Sequence, residues 1–142
     1  MVSQNIVREQ LPGGRLTLSS NSCVFTYDRL RPGVMLVTIS GIDNGQFGTA
    51  TLDEIRLELL RNRPLELFVD ASATLGVRAG VSKEWTDFFS LNRDHLKRVS
   101  VLVGSKAIEL TVAIAQHLSQ TGNLLQIYTD RELFDARLAS AR

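Results

Sequence analysis

The chain has 142 residues, 44% of them hydrophobic and 22% charged, with a formal net charge of +1. That length suits one domain with a real core, and the balanced charge gives no footing for nucleic acid or an anionic membrane surface. One cysteine, Cys23, excludes an internal disulfide framework and fits a reducing compartment, while the lack of a signal core or an apolar run of ~18 residues predicts a cytoplasmic chain with no membrane span.

In chain order, "PGG" at 12–14 separates "NIVREQL" from "RLTLSS", which predicts an N-terminal arm or hairpin over residues 1–21. Two clearer strands, "CVFTYDRL" and "VMLVTISG", flank Pro32 and Gly33 and predict an antiparallel hairpin, with Cys23 as a small buried strand residue. The period then becomes helical. Leu52, Ile55, Leu59 and Leu60 share a face, Thr51 and Glu54 have the form of a capping box, and Pro64 closes the segment. Arg61 and Arg63 at its end offset the helix dipole. "LELFVD" at 65–70 is nearly continuous in apolar residues and predicts a strand covered on both faces, followed by a loop over 71–81.

Ser82 reads as the cap of the next helix, with Trp85, Phe88 and Phe89 turned inward. A strand over 99–103 leads into "KAIELTVAIAQHLSQ", apolar around most of its girth and so expected to be well buried, with Gly122 as its terminator. "LLQIY" is a last strand, and Thr129 with Glu132 marks a second capping box before a last helix. Residues 22–142 thus have the order β-β-α-β-α-β-α-β-α. This predicts an α/β domain whose mixed sheet is mostly parallel, with an antiparallel hairpin at its N-terminal side.

The polar candidates gather where parallel strands end, the edge at which open α/β sheets bind ligands. Asp70, Ser72 and Thr74 follow the 65–70 strand, although short polar side chains also satisfy turn backbone there. Arg78 either pairs with Asp70 or points outward to an acidic group on a partner. Gly104, Ser105 and Lys106 open a helix, so free N–H groups and the lysine could hold an anion, or Ser105 serves as a plain cap. If the two loops share an edge, Arg78 and Lys106 are neighbours. His95 and His117 have no ligands at metal spacing, and no nucleophile elbow or Cys–His pairing is present, so neither metal, cofactor nor catalysis is predicted.

The element order, with "LFVDASATLGVRAGV" and "VSVLVGSKAIELTVAIAQHL", resembles the STAS domain family, which includes antagonists of anti-sigma factors, and in particular its small stand-alone bacterial branch. The resemblance covers roughly residues 22–141. It implies a regulatory module that binds a protein partner, such as a kinase-like protein, and forms a homodimer. In phosphorylated members an Asp-Ser-Ser/Thr-Gly segment follows the third strand. Aligned without gaps, that segment falls on Val77, Arg78, Ala79 and Gly80, where only the glycine matches. The serine switch is therefore not expected, unless a loop of different length gives the role to Thr74 or Ser82. The alternative reading is a carrier of a small ligand, a nucleotide or a lipid, in a cavity under residues 71–82 lined by the apolar third helix.

Overall fold

Alternation of apolar and polar residues organises the N-terminal half. A computed structural model describes residues 5–141. Strands β1 (Val7–Leu11), β2 (Arg15–Ser19), β3 (Cys23–Arg31) and β4 (Val34–Asp43) form an antiparallel meander. In β2 and β3 every second residue is buried: Leu16, Leu18, Cys23, Phe25 and Tyr27. The 7–19 hairpin therefore continues the sheet and adds Leu16 and Leu18 to the core.

From β4 onward the strands are parallel: β5 (Leu65–Val77), β6 (Leu96–Val103) and β7 (Leu125–Tyr128), each reached through a helix, α1 (Ala50–Arg61), α2 (Ala79–Leu91) and α3 (Lys106–Ser119). The seven strands lie in chain order, β1 to β7. Successive right-handed crossovers that all step the same way place their helices on one face. Accordingly, Leu52, Ile55 and Leu59 of α1, Phe88 and Phe89 of α2 and Ile108 of α3 share a core with Leu65, Leu67 and Val69. The last helix, α4 (Arg131–Ser140), covers the other face, where Phe134 meets Phe68 edge-on at 5.8 Å and packs with Leu102. Glu66, fully buried on that side, pairs with Arg137 of α4 at 2.8 Å.

The expected β-β-α-β-α-β-α-β-α order is present from β3 to α4. The sheet is divided evenly, with three antiparallel and three parallel junctions, because the N-terminal hairpin joins it. β5 runs to Val77, so most of the expected 71–81 loop is strand. Irregularities opposite Thr38–Ser40 and Gly41–Ile42 let it follow β4 to the end, pairing Val77 with Asp43. Helix starts also differ from expectation. α1 starts after Thr49, whose hydroxyl bonds Asp53, leaving Thr51 buried inside the helix. α2 starts three residues before Ser82, which donates to the Ala79 carbonyl instead of capping. Asp130, not Thr129, caps α4 through the N–H groups of Glu132 and Leu133, since its carboxylate reaches both. At the end of α3 the left-handed residue is Gln120 (φ 58°), not Gly122, whose carbonyl instead accepts from the Gln116 side chain. Ser105 does cap α3, accepting from Ile108 N–H at 3.2 Å.

Two expectations of burial fail for one reason. Leu60 of α1 is exposed, and α3 buries only Ile108, Ala115 and Ser119. Each helix has sheet beneath one side only, so apolar residues on the side away from the sheet remain exposed.

Candidate functional site

The polar candidates divide between the two faces of the sheet. Asp70 is mid-strand, opposite Thr38 and Leu102, and faces α4. Its partner is not Arg78 but Arg131, the first residue of α4. Nη2 of Arg131 lies 2.8 Å from Asp70 Oδ2 and 2.9 Å from Ser72 Oγ, while the Ser72 hydroxyl and N–H both donate to Asp70 Oδ1. Burial by itself would raise the Asp70 pKa, but the hydrogen bonds from Ser72 and Arg131 outweigh it and hold the carboxyl below its ordinary range. The cluster is closed on itself and fastens α4 to β5.

Gly104 lies against the backbone of Ser72, so close that a Cβ would collide with the Ser72 carbonyl, and this seats the β6–α3 connection on the end of β5. With Ser105 capping the helix, the anion reading at 104–106 reduces to a cap. Lys106 is almost fully exposed and lies 3.3 Å from Glu109. Arg78 is also exposed, its guanidinium 3.4 Å from the Asn44 carbonyl. Because β5, β6 and β7 are parallel, α2 and α3 run side by side in one direction, which places Arg78 and Lys106 at the same end of the helical layer.

Thr74 and Ser82 belong to a different place, a cavity of about 80 Å³ between the sheet and helices α2 and α3. Its walls are almost wholly carbon, from Phe25, Ile39 and Val101 below and Trp85, Phe89 and Val112 above. Four polar side chains interrupt them: Asp43, Thr74, Ser82 and Thr111. The three hydroxyls each donate to a backbone carbonyl, of Ile39, Ala79 and Ala107 respectively. Asp43 is 4% exposed and accepts one hydrogen bond, from Gly45 N–H at 3.0 Å on Oδ1. Burial pushes its carboxyl pKa up; the Gly45 bond opposes this and the charge of Glu84 adds to it.

Sequence reasoning missed Arg131, Asp43, Thr111 and the outer row of α3. Nothing local links Arg131 to a strand some sixty residues earlier. Asp43 stands in "DNG", where an aspartate reads as a turn former. The row on α3 was legible as spacing: Leu110, Ile114 and Leu118 recur every four residues and are 62%, 50% and 64% exposed. Among the described residues no three His, Cys, Asp or Glu side chains converge as metal ligands would, and no helix is long and apolar enough to cross a membrane.

No protein-family model matches the chain, and no curated protein matches it. Among solved structures similar to it is an anti-sigma factor antagonist from Mycobacterium paratuberculosis, with a TM-score of 0.57 and 16% identity over 84% of this chain and 96% of that one. Another is an uncharacterized protein of the DUF3478 family with a SpoIIAA-like fold, from Shewanella loihica PV-4, with a TM-score of 0.56 and 14% identity over 84% of this chain and 98% of that one. The fold is therefore the STAS-like, SpoIIAA-like one.

Proposed function

We propose that this STAS-like domain is a non-catalytic regulatory module of bacterial signalling that binds a protein partner through the outer face of α2 and α3. The observation that carries this reading is the row Leu110, Ile114 and Leu118, each exposed by half or more, with exposed Leu91 at the end of α2. The bond from Arg93, just beyond α2, to the Ser119 carbonyl joins the C-terminal ends of the two helices. Contiguous large apolar side chains of this kind mark interaction surfaces. At the other end of the same layer Arg78 and Lys106 supply a cationic rim, so the fitting partner presents an apolar patch flanked by acidic residues. A structural neighbour named as an anti-sigma factor antagonist supports a partner that is a protein.

The absence of a serine switch is part of the proposal. Thr74 is 4% exposed and Ser82 lines the cavity, each with its hydroxyl proton engaged on a backbone carbonyl, which favours binding that is not gated by phosphorylation at either residue. The test is copurification of tagged full-length chain from its native host, comparing wild type with Ile114→Glu and Arg78→Glu after circular dichroism confirms folding. Loss of a specific partner with both variants supports the reading, with sedimentation of the purified chain separating self-association from a second protein. Unchanged partner recovery with both variants overturns the proposed face.

A further inference from the structure

The turn after β4 contains an asparagine–glycine peptide bond, Asn44–Gly45, and both residues are exposed. Asn44 bonds through its backbone: its N–H donates to Gln46 Oε1 at 2.7 Å, and among the described residues its side-chain amide bonds nothing. Gln46 in turn donates to Ser20 Oγ, Ser22 Oγ and the Ile42 carbonyl, which ties the turn to the β2–β3 connection. Two charged side chains reach the Asn44–Gly45 bond. Asp43 Oδ1 accepts from the Gly45 N–H at 3.0 Å, and Arg78 Nη1 donates to the Asn44 carbonyl at 3.4 Å. The Arg78 N–H also bonds the Asp43 carbonyl at 2.9 Å, which seats the arginine beside the turn. A peptide nitrogen must lose its proton to act as a nucleophile, and the charge it then carries is shared with the carbonyl oxygen of the same peptide. Here a carboxylate holds that proton and a guanidinium faces that oxygen, the placement that base catalysis and charge stabilisation require.

We propose that Asn44–Gly45 is a self-modification site, at which the folded chain promotes loss of the Asn44 side-chain amide as ammonia. Asp43 takes the Gly45 amide proton, the Gly45 nitrogen forms a bond to Asn44 Cγ, and the Cγ–Nδ2 bond breaks. The proton departs with the amide nitrogen as ammonia. Solvent water then opens the cyclic imide at either carbonyl and leaves aspartate or isoaspartate at position 44. Glycine suits the second position because no side chain shields its nitrogen. Burial raises the Asp43 pKa, which makes its carboxylate a stronger base than an exposed one. Either product carries a negative charge on the residue whose carbonyl Arg78 contacts. Arg78 belongs to the cationic rim proposed for a protein partner, and on that reading the modification neutralises one end of the rim. The chemistry of the peptide bond does not depend on the partner.

The experiment incubates the purified full chain at neutral pH and follows residue 44 by peptide mapping and mass spectrometry, which counts the lost amide and separates aspartate from isoaspartate. Wild type should lose the amide at Asn44. Asp43→Asn keeps an acceptor for the Gly45 N–H but removes the base, and should slow the loss by at least about tenfold. Arg78→Ala should slow it about two- to fivefold, the worth of an exposed ionic contact. Circular dichroism confirms that both variants are folded. In urea, which releases Asp43 and Arg78 from the turn, the three chains should lose their differences. A rate as high as wild type in either folded variant overturns the proposal, because the hydrogen bond from Gly45 would then be structural alone. So do differences that persist in urea, which would belong to the local sequence and not to the fold, or a wild-type chain that keeps its Asn44 amide.

Discussion

Asp43 and Asp70 stand on adjacent strands of one sheet, on opposite faces, and their acidities are pulled in opposite directions. Asp70 is surrounded by donors: the N–H and hydroxyl of Ser72 and the Arg131 guanidinium. Asp43 has the Gly45 N–H alone, carbon around it and Glu84 nearby. Burial is common to both, so what separates them is the supply of partners. On the α4 face Asp70 is surrounded by donors, although Glu66 Oε1 and Arg137 Nε there are buried without a hydrogen-bond partner among the described residues; beneath α2 and α3 Asp43 has a single donor beside an apolar space.

The strongest way to break this contrast is to unmatch the α4 face. Glu66 has no solvent exposure, and Arg137 supplies its charge partner. Arg137→Ala leaves that carboxylate uncompensated, and we expect a loss of about 3–5 kcal/mol in urea unfolding. The double variant Glu66→Leu with Arg137→Leu should recover most of it, because replacing both members removes the desolvation cost along with the attraction. A loss under about 1 kcal/mol for Arg137→Ala would mean that the Glu66–Arg137 pair contributes little to holding α4.

A smaller effect sharpens the comparison by its dependence on pH. The Asp70 carboxyl is depressed in the fold, so its contribution is present above the unfolded value of about 3.9 and is lost as pH falls through the folded one. Asp70→Asn should therefore destabilise by about 1 kcal/mol at pH 7, Arg131 being half exposed, and the difference should fade toward pH 3. Asp43 has the opposite sign. With its pKa raised in the fold, the native state is favoured at low pH and loses that advantage as pH rises through the elevated value. Asp43→Asn is expected to gain a few tenths of a kcal/mol at pH 7 and nothing below the ordinary carboxylate range. Melting curves of both variants at pH 3.5 and 7 decide the matter: if both differences carry the same sign, the two carboxylates are not opposed.

These two residues also show where sequence reasoning ran out. Period and turn chemistry made the strand and helix order readable, because apolar spacing in "CVFTYDRL" or around Phe88 and Phe89 is set by the same faces that pack. Caps slipped by one to three residues because Thr, Ser and Asp crowd each helix start and only backbone geometry chooses among them. Asp70, Ser72 and Thr74 alternate onto one face of a regular strand, yet the register shift opposite Thr38–Ser40 leaves the first two toward α4 and turns Thr74 to the cavity side. Pairings such as Asp70–Arg131 depend on tertiary closure that no local window contains. The cavity itself depends on how α2 and α3 settle against β4, β5 and β6.

The least effect is expected where apolar residues suggested the most burial. On composition α3 should be a core helix, and truncating core leucines costs about 2–5 kcal/mol. Leu110, Ile114 and Leu118, however, lie on the side of α3 away from the sheet. Leu110→Ser and Leu118→Ser should each change unfolding stability by less than about 0.5 kcal/mol, the range for surface positions, whereas Ile108→Ala on the inner side should cost at least about 2 kcal/mol. Urea titrations of the three variants test this directly. If the outer substitutions cost as much as the inner one, the row is structural in solution and its exposure cannot be credited to a partner. If they are silent for stability, folding gives no reason for three large apolar side chains at that spacing, and contact with another molecule is the physical account that remains.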